Sequence, residues 1–182
     1  MDLDLKERLR DLPPRPFTGR VYRHSDPAHG PFDVPEIAPY EGRWIRKGQA
    51  NGVHAAVVGR LDALLEQARH VEDRDQVLPV RLMSVLHVME LPVLDVSNTL
   101  ALETCGLTRS DLLHPEDLEL PQLVGDVAWE RDDLLGLLGP SVVGPTAKTL
   151  VFRLDAVAEH VRVLEQQRVQ LRVAPVRRQR KS

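Results

Sequence analysis

Leu3, Leu5, Leu9 and Leu12 recur among Asp, Lys and Arg ahead of Pro13-Pro14, a spacing that gathers the leucines on one side of a short helix which the prolines end. Its apolar side can dock on a partner or on the domain itself. Residues 13–52 are rich in Pro and Gly, with short strand candidates such as residues 20–24, and are expected to be irregular and loop-built. Loops of this kind often carry binding residues. A buried strand is expected over residues 53–58. A helix should follow it, since Leu61, Leu64, Leu65, Ala68 and Val71 fall on one helical stripe.

Residues 77–96 offer one or two strands with apolar side chains at alternating positions, and Pro92 should interrupt or bend their pairing. Ser97 stands where it can cap a helix through Leu102, although Leu100 occupies the position at which a capping box has Glu or Gln. A longer helix is expected over residues 121–138, with Leu123, Val127, Leu134, Leu135 and Leu138 as its apolar face and Gly139-Pro140 as its stop. A strand over 149–154, a helix over 155–167 and a strand over 169–176 complete the chain. Strands and helices mixed without regular alternation predict an α+β fold. The chain carries no internal repeat and no low-complexity segment.

With 182 residues, of which 42% are hydrophobic, one globular domain is the default. The longest apolar run is broken by Arg81, His87 and Glu90, far short of the ~20 apolar residues a membrane span needs. The acidic start, Met1-Asp2-Leu3-Asp4, lacks the features of a signal peptide, so a cytosolic location is expected. The lone cysteine, Cys105, excludes an internal disulfide framework and is expected to be a small core residue. Lys and Arg number 24 and Asp and Glu 27, a net charge of −3, so the chain as a whole does not suggest a nucleic-acid binder. The local exception is Arg177-Arg178-Gln179-Arg180-Lys181 after Pro175, most simply a solvated tail.

No phosphate-binding P-loop, dinucleotide-binding glycine motif or nucleophile elbow occurs. The seven histidines, His24, His29, His54, His70, His87, His114 and His160, show no paired ligand spacing, so no metal is expected. Four pieces remain, in the order Tyr22-Arg23, Gly42-Arg43-Trp44, Ala63-Leu64-Leu65-Glu66 and Gly139-Pro140-Ser141. Two guanidiniums can hold a pyrophosphate bidentately, and a carboxylate beside them can stabilise the cationic sugar formed when a glycosidic bond breaks. That combination suits an attack on NAD.

The same order resembles the RES-domain family, named for its arginine, glutamate and serine. The resemblance spans about residues 20–154. It includes Pro92-Val93-Leu94-Asp95-Val96 and Thr149-Leu150-Val151-Phe152, similar to two strands of the family. It implies a lead-in at 1–19, a RES-like domain at 20–176 and a basic tail at 177–182. The implied fold is an ADP-ribosyltransferase-like split mixed sheet around an NAD cleft. The implied function is a toxin of a bacterial toxin–antitoxin pair that consumes NAD by hydrolysis, phosphorolysis or ADP-ribosyl transfer. Its implied partner is an antitoxin with a DNA-binding domain that blocks the cleft. Nucleic acid is expected to be met only through that complex, no membrane is expected, and a homo-oligomer is left open.

By the resemblance Arg23 and Arg43 bind the pyrophosphate, Glu66 stabilises the ribosyl cation with Arg43 beside it, and Ser141 and His54 position the nicotinamide ribose. The sequence departs from the family where Gly52-Val53-His54-Ala55-Ala56 stands in place of a Tyr-Leu-Ala step, and where Ile45 replaces an asparagine. His54 can stack and donate a hydrogen bond in the tyrosine's stead. Each residue also has a plainer role. Arg23 and Arg43 fit solvated surface charges, and Trp44 a core or cleft-wall aromatic. His54 fits a hydrogen-bonded core ring. Ser141 fits a turn residue at a helix exit. Glu66 points away from the leucine stripe and fits an i,i+3 pair with Arg69 worth ~0.2–0.5 kcal/mol. For the whole chain, the alternative is a catalytically weakened RES fold acting as a protein-interaction module.

Overall fold

The run from Arg81 to Asp95 is apolar at positions of both parities, which is what a strand buried on both faces requires. Around it the computed structural model, described at residues 3–68, 79–114 and 117–170, arranges six strands and six helices. In chain order these are α1 (Leu3–Asp11), β1 (Arg15–Ser25), β2 (Gly52–Ala56), α2 (Arg60–Ala68), β3 (Arg81–Asp95), α3 (Thr99–Cys105), α4 (Arg109–Leu113) and α5 (Glu119–Glu130). Then come β4 (Gly136–Pro140), β5 (Lys148–Arg153), a 3₁₀ turn (Leu154–Ala156), α6 (Val157–His160) and β6 (Val161–Val169).

β1 runs antiparallel to β3 along most of its length, from Arg15 opposite Val93 to Ser25 opposite Leu82. On its other side β3 pairs antiparallel with β6 over its first half and parallel with β4 near Val93 to Asp95. β5 joins β4 to β2, antiparallel to both. β2 returns to β1 through the single pair Tyr22 and Ala56, so the order β1-β2-β5-β4-β3-β6, with its added β1–β3 pairing, closes on itself. The fold is a mixed α+β domain. Alternation along the strands separates two cores. Leu94, Leu137 and Val151 face the helices, meeting Leu9, Cys105, Leu112 and Val124. Val93, Leu138, Leu150 and Phe152 face the other way and meet Val21, Val53 and Val161.

Helix α1 turns its apolar side to this domain. Leu5 and Leu9 are buried in the helical core, Lys6 and Arg10 both pair with Glu130 of α5, and Arg131 donates to the carbonyls of Arg10 and Leu12.

Several expected elements change type. β1 occupies part of the stretch expected to be loop, because β3 offers it a continuous partner; residues 26–51 stay irregular apart from an isolated bridge between Ile37 and Ala50. The helix expected over 121–138 ends at Glu130, and Leu138 lies in β4. A strand buried at every position shows no alternation, so Gly136 to Pro140 reads as helix from pattern alone. Gly139-Pro140 therefore closes a strand, and Ser141 leaves a strand rather than a helix. The expected helix over 155–167 is confined to the short turn and α6. β6 takes the remainder because the free edge of β3 supplies its hydrogen bonds, with tertiary pairing overriding local preference. Asn98, not Ser97, caps α3, accepting from the amide of Ala101, while the Ser97 hydroxyl donates to Asp95. The irregularity in β3 falls at Glu90, whose φ of 48° is left-handed and whose amide donates to Thr18 Oγ1; Pro92 remains paired, opposite Pro16. Most of the strand expected over 169–176 and the basic tail lie outside the described residues.

Candidate active site

The leucine stripe of α2 is buried only in part, at Leu64. Leu61 is 65% exposed and Leu65 39%, while Ala63 is 3% exposed. Ala63 and Glu66, three apart and hence on one side of the helix, both line a cavity of about 450 Å³. Helix α2 thus presents Glu66 to this cavity and Leu61 and Leu65 outward, while Leu64 packs against Ala56, Ala63 and Met83. Arg69, the simpler partner considered for Glu66, lies outside the described residues.

The floor of the cavity is one row across the sheet, Tyr22 of β1 opposite Ala56 of β2 and Ala56 opposite Thr149 of β5; Thr149 is in turn opposite Gly139 of β4, next to the cavity-lining Pro140. Trp44 forms a wall, and two glycines seat it. A Cβ on Gly139 would lie 2.6 Å from the indole, and one on Gly125 of α5 only 1.7 Å from the Trp44 carbonyl oxygen. The aromatic expected at a cleft wall is 3% exposed and serves core and wall together.

Arg23, Arg43, His54, Glu66 and Ser141, the residues singled out by sequence, all line this one cavity. Ser141 Oγ donates to Glu66 Oε1 at 2.5 Å, the short distance of a hydroxyl bound to a carboxylate. Arg23 Nη1 donates to the His54 carbonyl at 2.9 Å, bridging β1 and β2 where their pairing is one residue long. Arg43 Nη1 donates to the carbonyls of Leu112, at 2.7 Å, and His114, at 3.2 Å, at the C-terminal end of α4. At the other end of α4, Arg109 Nη2 donates to the carbonyls of Ser141, Gly144 and Ala147, at 2.8, 2.8 and 3.2 Å. One short helix, capped by Thr108 and Asp111 in a reciprocal box, therefore fixes Arg43 and the Ser141 loop together.

Burial dominates the electrostatics. It lowers the pKa of His54 to about 4, with nearby Arg23 adding to the effect. Burial, then Arg81 and Arg23, lower that of His24 to about 4. Both rings are neutral at pH 7. Burial and Arg81 together lower the Arg23 guanidinium to about 10, which still leaves it charged. Among the described residues no cluster of His, Cys, Asp and Glu is arranged to hold a metal ion, and no helix is long and apolar enough to cross a membrane.

The sequence singled out neither His24 nor Thr149 as a cavity residue, and gave no role to Arg109. Tyr22 was legible only as the neighbour of Arg23. Its alternation with Val21, wholly buried on the opposite face, is the one local signal for its placement.

Fold and cavity together define an α+β domain whose cleft gathers arginine, glutamate and serine side chains from four separate parts of the chain. No protein-family model and no curated protein matches the sequence. A solved structure does match the fold: the M. tuberculosis MbcT-MbcA toxin-antitoxin complex, a chain of which superimposes with a TM-score of 0.71 at 19% identity, covering 92% of this chain and 93% of that one.

Proposed function

We propose that this protein is an NAD-consuming toxin of a bacterial toxin–antitoxin pair and that it breaks the nicotinamide–ribose bond in the cavity beside Glu66. The observation that carries the proposal is the Ser141–Glu66 hydrogen bond within a cavity that also contains Arg23 and Arg43. As the glycosidic bond breaks, its electron pair leaves with the nicotinamide nitrogen and positive charge develops on the ribose. A carboxylate pre-oriented by Ser141 stabilises that charge without reorganising. Arg23 supplies charge for the pyrophosphate. The neutral ring of His54 is suited to stacking and hydrogen bonding beside the ribose. The acceptor of the ADP-ribose is water, phosphate or a protein side chain.

The RES-type assignment and the ADP-ribosyltransferase-like split sheet belong to the same proposal. They are supported by the ordered motifs and by the one-pair junction of β1 and β2 beside the cavity. The fold shared with a chain of a toxin–antitoxin complex supports the toxin role and an antitoxin partner, for which we propose a DNA-binding domain. Val58 and Leu61, exposed at 56% and 65% next to the cavity-lining side of α2, supply apolar surface to such a partner. NAD consumption places the action in the cytoplasm.

The test is chromatography of NAD and its products with wild type and Glu66→Gln, in buffers with and without phosphate. Loss of NAD with wild type alone, accompanied by release of nicotinamide, is expected. Equal turnover by the two proteins would remove Glu66 from the mechanism. No turnover by folded wild type, with no arrest of growth on expression, would replace the toxin with a protein-interaction module.

A further inference from the structure

Among the described residues the cavity is lined by two carboxylates, and the proposed reaction uses one of them, Glu66. The other is Glu41. A tight turn fixes its place: the Gly42 amide donates to the Ile45 carbonyl at 2.9 Å, and the Gly42 carbonyl accepts from Nε2 of buried Gln122, on α5, at 3.0 Å. A Cβ on Gly42 would stand 3.1 Å from that same Ile45 oxygen, so the turn has little room to shift. Glu41 Oε2 accepts from the Lys47 amide at 2.6 Å, and among the described residues this amide is its only partner. Oε1 is left to accept from an occupant of the cavity.

The two carboxylates are tied to opposite ends of α4. Glu66 accepts from Ser141, whose carbonyl is held by Arg109 in the first turn of that helix. Glu41 stands two residues before Arg43, whose guanidinium is held by the carbonyls of Leu112 and His114 at the last turn. A helix of 5 residues rises about 7 Å, so the two acidic acceptors are set apart along the cavity. A dinucleotide carries one ribose diol on each side of its diphosphate. With one ribose at Glu66, the second diol lies further along. A carboxylate there accepts charge-assisted hydrogen bonds from the hydroxyls. A phosphate in place of a hydroxyl removes that donor and brings negative charge against negative charge.

We propose that Glu41 is a specificity-determining residue: it accepts from the diol of the second ribose and excludes dinucleotides phosphorylated at that diol. The inference rests on the NAD reading of the same cavity. It narrows the substrate class to NAD as against its 2′-phosphorylated form, NADP.

The test measures kcat/KM for nicotinamide release from NAD and from NADP by the full chain, as wild type, Glu41→Gln and Glu119→Gln. The glutamine amide oxygen can still accept from the Lys47 amide, so the turn survives while the charge is lost. Glu119 is exposed beside the cavity-lining Leu118, and its substitution removes a nearby negative charge without touching the cavity. Wild type should prefer NAD by roughly tenfold or more, the worth of a hydrogen bond to a charged group. Glu41→Gln should narrow that preference by a similar factor, raising KM for NAD and lowering it for NADP with kcat for NAD little changed. Glu119→Gln should keep the wild-type ratio. An equal fall with both substrates in Glu41→Gln would mark a residue that only holds the turn and would overturn the proposal, as would a wild type without preference. Binding of ADP-ribose and of 2′-phospho-ADP-ribose to wild type gives the same comparison without turnover, and equal affinities would overturn the proposal even where Glu41→Gln does not fold. Preferential binding of ADP-ribose by a wild type that releases no nicotinamide would uphold Glu41 and refute NAD consumption.

Discussion

Acidification from pH 7.5 to 5 should weaken this fold through two histidines, before any carboxylate contributes. Burial, with Arg23 beside it, holds His54 at about 4, and burial with Arg81 and Arg23 holds His24 at about 4, against an ordinary value of 6.5. Because the folded values lie below the unfolded one, the unfolded chain takes up protons first. Stability is therefore complete above about pH 6.5, falls between 6.5 and 4, and levels off below. Each pKa unit corresponds to about 1.4 kcal/mol, so at pH 5 each ring contributes a loss of ~2 kcal/mol and the pair ~4 kcal/mol if they act independently. Against a typical total of ~5–15 kcal/mol that loss is large. Glu130 is held low by Lys6 and Arg10, and Asp133 by Arg131, so their contributions disappear only as pH falls through the carboxylate range. Urea unfolding at half-unit pH steps should show the midpoint falling from pH 6.5 downward, and the double variant His24→Gln, His54→Gln should flatten that slope. A wild-type midpoint unmoved between pH 7 and 5, or an undiminished slope in the double variant, would refute the assignment of neutral buried rings.

Glu66→Gln should abolish NAD turnover with the Tm little changed, as read by product chromatography beside thermal unfolding. Arg109→Ala should slow turnover by releasing the Ser141 loop, and should cost ~1–3 kcal/mol for the carbonyls left unpaired. If Arg109 is a positioning residue, Arg109→Lys will restore part of kcat with little change in KM. Gly139→Ala should destabilise by ~1–3 kcal/mol or more, since its Cβ would stand 2.6 Å from the Trp44 indole; wild-type urea stability would show that Trp44 does not pack there.

The chain's own pattern carried the class of fold, the strands at β2 and β5, the first helix and the candidate chemistry, because these depend on local periodicity and on which functional groups are present at all. The ordered motifs named Arg23, Arg43, Glu66 and Ser141 without reference to distance. Tertiary structure decided that all four face one cavity, and it shifted the buried face of α2 from Leu61 and Leu65 to Ala63 and Leu64, because a helix buries whichever side its neighbours cover. Ala63 meets the sheet while Leu61 stays in solvent. It also turned Gly136 to Pro140 into a buried strand and Val161 to Val169 into an edge strand, since both owe their form to hydrogen bonds offered by distant segments. The single pair of β1 with β2 at Tyr22 and Ala56, beside which Arg23 donates to the His54 carbonyl, was illegible for the same reason, because register is a property of two strands together.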